Sequence, residues 1–256
     1  MVGIRIYPFK SLNPVECHQS EITSAGALSN DRRFALVTSD GAFFNAKRAP
    51  RFHQLRLETD PSAETLTISL RGESTGITVK TTAALDPLEK WLSHQFGRHL
   101  QVQESPVAGF PDDLKAPGPT LISTATIETI SSWYPELTPA NIRDRLRTNL
   151  EIDGVPPFWE DCLFAENPNQ SVEFSIGDCQ FEGLNPCQRC AVPSRDPLTG
   201  RVLKNFVKTF TTNRKKTLPS WAAKGRFDHF YQVSINTRPK ADQSNKEIKI
   251  GDPVHL

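Results

Sequence analysis

Long apolar runs are missing from this sequence. No stretch approaches the roughly 18 to 20 consecutive apolar residues that a membrane-spanning helix needs. The opening MVGIRIYPFKSL lacks the continuous apolar core of a signal peptide and reads as a strand of the fold. No membrane span is therefore expected, and a cytoplasmic location is. An excess of charge is missing too: 30 Lys and Arg stand against 29 Asp and Glu, a net charge of +1. A nucleic-acid partner, which calls for a basic excess or stripe, is not expected. Cysteines are few, at five, and their odd number and irregular spacing argue against a secreted disulfide framework. No internal repeat or low-complexity tract is visible. What remains is a chain of 256 residues, 37% hydrophobic, long enough to bury a core without covalent staples and to form one large domain or two small ones.

The first hundred residues are strand-rich. Strands are predicted at 2–7, 33–38, 42–46, 55–58, 65–70, 77–81 and 99–103, with Ser39-Asp40-Gly41 as a hairpin turn. Leu85, Leu88, Trp91, Leu92 and Phe96 recur at helical spacing and predict an amphipathic helix over 84–97. Residues 105–119 hold four prolines, two glycines and two aspartates and read as a linker. They divide the chain into an N-terminal module (1–104) and a C-terminal module (120–256). In the second module, helices are predicted at 124–133, capped by Ser123 or Thr124, and from Pro139. Strands are predicted at 150–152, 172–176, 179–184, 230–236 and 247–250. The expected class is α+β and strand-dominated, with barrel-like modules and peripheral helices.

The strongest chemical signal is Asn185-Pro186-Cys187-Gln188-Arg189-Cys190. A CxxC pair can be half of a zinc site, but Cys162 and Cys179 lack the matching spacing and the histidines are scattered. It can be a redox dithiol, but Pro193, Asp196-Pro197 and Gly200 follow too closely for the helix such a motif opens. It can be simple burial, or one thiolate on a loop serving a soft metal centre. Arg189 between the cysteines and Arg195 beyond them favour a thiolate. Basic residues gather elsewhere. Lys10-Ser11 follow a strand stopped by Pro8, and a lysine with a hydroxyl can hold a phosphate. Arg32 enters the hairpin and Lys47 leaves it, so both sit at one end of the same two strands. Arg145 and Arg147, two apart before a strand, would point the same way on extended backbone, with Asn149 beside them.

YPFKS (7–11), DRRFALVTSDGAFFNAKRAP (31–50), RLRTNL (145–150), NPCQRC with DPLTG (185–200) and IGDPVHL (250–256), in this order, resemble the MOSC family with its N-terminal β-barrel extension. The likeness is to the branch of the mitochondrial amidoxime-reducing component and its bacterial relatives. The resemblance implies a molybdenum–molybdopterin cofactor bound between two modules, with Cys190 as molybdenum ligand and catalytic centre. It implies a phosphate grip by Lys10, Ser11 and Arg32, joined by Lys47, and contacts from Arg147 and Asn149; Arg145 and Arg189 are candidates on position. The implied activity is reduction of small N-hydroxylated substrates, with ferredoxin, flavodoxin or cytochrome b5-like proteins and a reductase as separate electron donors, since no iron–sulfur or flavin segment accompanies the two modules. A second implied role is a cofactor carrier or sulfur-transfer protein with a persulfide on Cys190. The chain departs from the family at Pro193-Ser194-Arg195, often Thr-Thr-Val, and at Lys47, where the family has arginine.

Overall fold

The structure, a computed structural model, describes residues 1–73 and 75–256. The N-terminal part comprises β1 (Gly3–Ile6), β2 (Val15–Cys17), β3 (Gln19–Glu21), β4 (Phe34–Val37), β5 (Phe43–Phe44), β6 (Leu55–Glu58), β7 (Thr65–Leu70), β8 (Gly76–Lys80), α1 (Asp86–Phe96) and β9 (Gln101–Glu104). The C-terminal part comprises β10 (Leu121–Ser123), α2 (Thr124–Ser132), α3 (Pro139–Leu146), β11 (Leu150–Ile152), β12 (Val172–Ile176), β13 (Cys179–Gln188), α4 (Phe206–Lys216), β14 (Gln232–Pro239), β15 (Glu247–Lys249) and β16 (Val254–His255). The strand-dominated α+β class stands.

The sheets are open rather than closed into rings. Sheets β5-β4-β9 and β6-β7-β8 are hydrogen-bonded separately, while β1 and β2 leave the N-terminal part to complete an eight-stranded sheet in the order β16-β12-β13-β14-β10-β11-β1-β2. Pro8 explains the break. It has no N–H to continue a ladder, so only an isolated bridge, Phe9 to Phe34, joins the end of β1 to β4. A division along the chain is thus not a division in space, because Ile4 and Ile6 lie in the core of the large sheet. Strands β4 to β9 and α1 enclose a second core around Phe34, Phe52, Leu66 and Leu92, while β3 pairs with β15. A third core packs α2, α3 and α4 against β10 and β14 through Ile127, Ile142, Phe206, Phe210 and Val233.

Of the two cap candidates for α2, Ser123 is the cap and accepts from the Thr126 amide; α3 starts at Pro139 as predicted, and Thr138 caps it by accepting from the Asn141 amide. Helix α4 has weaker sequence signals. Asn205 precedes it in the left-handed region with no capping bond, and its buried stripe is Phe206, Phe210 and Arg214. The basic run Arg214–Lys216 suggests a solvated face, but Arg214 is fully buried against Asp161 and lies 4.2 Å from the Phe158 ring. Strand β13 runs four residues past its predicted end. It crosses Pro186 by means of bulges in its pairing with β14, and so delivers the cysteine pair at its C-terminal end.

Beside Asp161, in the short helical turn Trp159–Leu163, Glu160 is 1% exposed. Its Oε1 has no partner among the described residues and its Oε2 accepts from the Thr126 hydroxyl. Burial, and then the Asp161 charge, push the Glu160 carboxyl up to about 7. The folded state therefore holds this proton more tightly than the unfolded chain, whose glutamate titrates at ~4.3. The resulting stabilisation is full below that value and is lost as pH rises through the folded value near 7. Glu160→Gln, equal in shape and without charge, should raise stability by roughly 1–3 kcal/mol at pH 8 and by clearly less at pH 5. Calorimetric unfolding at both pH values checks this; equal gains would show that ionisation is not the cause.

Candidate functional site

The site starts at Tyr7-Pro8-Phe9. Once Pro8 ends β1, the loop zips onto the segment before β4: Arg32 N donates to Tyr7 O, Phe34 N to Pro8 O, and Lys10 N to Phe34 O. This places Lys10, Ser11 and Arg32 on one rim. Ser11 Oγ accepts from the Ala46 amide at 3.1 Å, which draws the end of the hairpin, with Lys47, to the same rim. From the other half, α3 ends at Arg147, whose amide closes the last turn on Arg143 O. Helix ends of this form usually carry glycine, yet φ is +55° at Arg147, +52° at Arg32 and +77° at Ser11. Left-handed backbone costs a non-glycine residue about 1 kcal/mol. Three such residues on one wall are the kind of strain that folds retain at functional sites.

These residues surround a cleft of about 680 Å³. Lys10, Ser11, Arg32 and Lys47 line it from the first part of the chain, and Arg147, Arg189, Cys187 and Cys190 from the second. Beneath the cations lies the buried Tyr7 ring, with the Arg147 guanidinium 4.2 Å and that of Arg32 5.9 Å from its centroid. Asp31 pairs with Arg32 at 2.6 Å and accepts from the Tyr7 amide. Burial lowers Arg32, but Asp31, Asp112 and lesser neighbours together outweigh it and hold the guanidinium above its ordinary value. Arg147 has no such partner. Its side chain makes no hydrogen bond or ion pair among the described residues, and burial holds it below its ordinary value.

The linker contributes a counter-charge. Gly109, at φ +60°, lies so close to the Asp31 carbonyl that a Cβ there would come within 2.4 Å of the oxygen. Only glycine lets the chain cross at this point. Beyond it, Asp112 pairs with Lys10 at 3.0 Å and Lys47 at 3.3 Å, and Lys10 also donates to the Phe110 carbonyl. Burial raises the Asp112 carboxyl, but the two lysines prevail and hold it well below the usual carboxylate range.

Cys190 is half-buried and lines the cleft just past the end of β13, with no hydrogen bond from its sulfur among the described residues. Arg189 donates to Cys187 Sγ at 3.1 Å and to the Leu146 carbonyl, tying the cysteine turn to the end of α3. Arg195 donates to the Ala46 carbonyl. The cation placed against sulfur therefore faces Cys187. Among the described residues, no three His, Cys, Asp or Glu side chains converge as a metal-ligand set.

Two expected cofactor contacts are placed differently. Arg145 belongs to α3, not to extended backbone, so it does not parallel Arg147. It is 3% exposed, its guanidinium held by the Pro193 and Arg195 carbonyls and by Asn141, although it borders the cleft. Asn149 does not line the cleft. Its side-chain oxygen accepts from the Thr120 amide and hydroxyl, and its nitrogen donates to Arg5 O, stitching β1 to the start of β10. Asp112 and Tyr7 went unnoticed in the sequence. Tyr7 was within reach of the YPFKS motif, whereas Asp112 depends on how a linker folds.

Comparison with known proteins gives two domain matches: the MOSC N-terminal beta barrel domain at residues 1–103 and the MOSC domain at residues 120–255. The molybdenum cofactor sulfurase of Caenorhabditis elegans is 28% identical over 222 residues, which cover 78% of this chain and 29% of the sulfurase. Human mitochondrial amidoxime-reducing component 1 is 24% identical over 288 residues, covering 98% of this chain and 81% of that protein. Rat mitochondrial amidoxime reducing component 2 is 22% identical with the same coverage. The chain thus spans under a third of the sulfurase it matches and about four-fifths of the reducing components.

Proposed function

The chain belongs to the MOSC family, with the N-terminal β-barrel domain ahead of the MOSC domain, and from that premise we propose that its cleft holds a molybdenum–molybdopterin cofactor with which it reduces small N-hydroxylated compounds. One observation carries the reading: cations from both halves of the chain converge on a single cleft into which Cys190 opens. The donor set suits the group. Lys10, Ser11, Arg32 and Lys47 would grip its phosphate, and Arg147, which lacks a counter-charge, would gain one. Cys190 would supply the protein's single thiolate, soft enough for a sulfur-rich centre. When bound, that group supplies the oxygen-atom-transfer and redox chemistry. Arg189 would hold the cysteine turn in place, and Asp112 would have to release Lys10 and Lys47 for a phosphate to take its place. Reducing an N–OH group to N–H consumes two electrons and two protons and releases water. Separate electron-transfer proteins would provide the electrons. The test is turnover: cofactor-loaded protein with a chemical reductant should convert benzamidoxime to benzamidine, and loaded protein that leaves benzamidoxime intact would refute the reductase role.

The match to cofactor sulfurases favours a second reading, in which Cys190 carries sulfur as a persulfide for delivery to the cofactor. Mass spectrometry of freshly isolated protein separates the two. A gain of about 32 Da on Cys190 without bound metal supports the carrier; unmodified Cys190 with metal present supports the reductase.

A further inference from the structure

Arg147 also lines a second cavity, of about 210 Å³, which shares Ser11, Arg145, Arg147 and Val192 with the cleft. Its other walls come from the turn before β6, from Arg71 just after β7 and from the segment after the cysteine pair. The charges on it are lopsided. Arg56, Arg71, Arg145, Arg147 and Arg195 meet one carboxylate, Asp144, which also lies 3.4 Å from Arg5. Arg56 pairs with Glu58, and Arg145 is held by backbone carbonyls. Arg71 and Arg195 have neutral carbonyls for partners, His53 O at 3.1 Å and Ala46 O at 2.5 Å, and Arg147 has no partner among the described residues.

His53 lines the same cavity. It is 9% exposed, and its Nε2 makes no hydrogen bond among the described residues. Burial, then the Arg147 charge, push it down to about 4, so the ring is neutral at physiological pH and offers one N–H. Buried polar atoms are normally satisfied. With the N–H on Nε2, rather than turned to the Pro197 carbonyl beside the ring, an acceptor-only anion would satisfy this nitrogen and offset charge on three guanidiniums. The volume equals about seven waters' share of the liquid, at roughly 30 Å³ each, which is more than a bare tetrahedral ion needs.

We propose that this cavity is a second anion site that takes a phosphate group, as a monoester with a small organic substituent, held by Arg71, Arg147, Arg195 and His53. The site shares Arg147 with the neighbouring cleft, whereas Arg71, Arg195 and His53 line this cavity and not the cleft. The test is isothermal titration of the full chain carrying Lys10→Ala, which weakens the cleft's phosphate grip and changes no residue that lines this cavity. Phenyl phosphate should bind at one site at least tenfold more tightly than benzoate. Adding Arg71→Gln should weaken it about tenfold, and adding His53→Phe, which keeps the ring's bulk and removes its nitrogens, should weaken it severalfold. Inorganic phosphate binding as tightly as phenyl phosphate would support the site with free phosphate as its ligand. Absence of saturable phosphate binding, or affinity unmoved by both added substitutions, would overturn the proposal; if Arg71→Gln fails to fold, His53→Phe decides alone.

Discussion

Replacing Cys190 with alanine should lower molybdenum content and benzamidoxime turnover by well over about a hundredfold, while Cys187→Ala should lower them by roughly 10- to 100-fold. The two sulfurs line the same cleft but differ in their surroundings. Cys187 Sγ accepts from Arg189, so it serves the guanidinium that ties the turn to α3. Cys190 has no such engagement and is available as a ligand. Loss of a group that only supports a ligand usually costs 10- to 100-fold in metal affinity or activity, and loss of the ligand costs more. Metal analysis and initial rates on the two variants check this. A larger loss in Cys187→Ala would reverse the assignment of the ligand.

The second large effect concerns the scaffold. Arg214→Ala should destabilise the fold by about 3–5 kcal/mol, because it strands a buried carboxylate. Arg214 joins three elements: it donates to Asp161, to the Gln232 carbonyl at the start of β14, and it lies over Phe158. At this chain length such a loss lowers the unfolding midpoint by roughly 10 °C. Arg214→Met combined with Asp161→Leu removes both charges and should recover much of the loss, since apolar replacement of a buried pair is often near neutral. Denaturant unfolding of the single and double variants measures both. A single-variant loss under about 1 kcal/mol would show that the pair does not hold α4 in place.

Much of this architecture could be read from residue order. Strands β6, β7, β11 and β12 coincide with their predicted limits, because alternation bounded by turn residues is a local property. Helix α4 escaped because a charged residue, Arg214, occupies a core position, and only the distant Asp161 makes that tolerable. The pairing of β1 with β11 was hidden for a related reason: strand partners so far apart in sequence leave no mark on either segment. The site divides in the same way. Lys10, Ser11, Arg32, Lys47, Arg147 and Cys190 line one cleft. Arg145 and Asn149 stand beside Arg147 in sequence, but a helix end and a strand edge turn their side chains to structural partners. Asp112 and His53 belong to segments whose placement depends entirely on long-range packing.

The most direct test of the central claim is the molybdenum and pterin content of the wild-type chain purified from a host that makes the cofactor. About one molybdenum and one pterin per chain is the predicted result. Neither group, or stoichiometric zinc in place of molybdenum, would contradict the account.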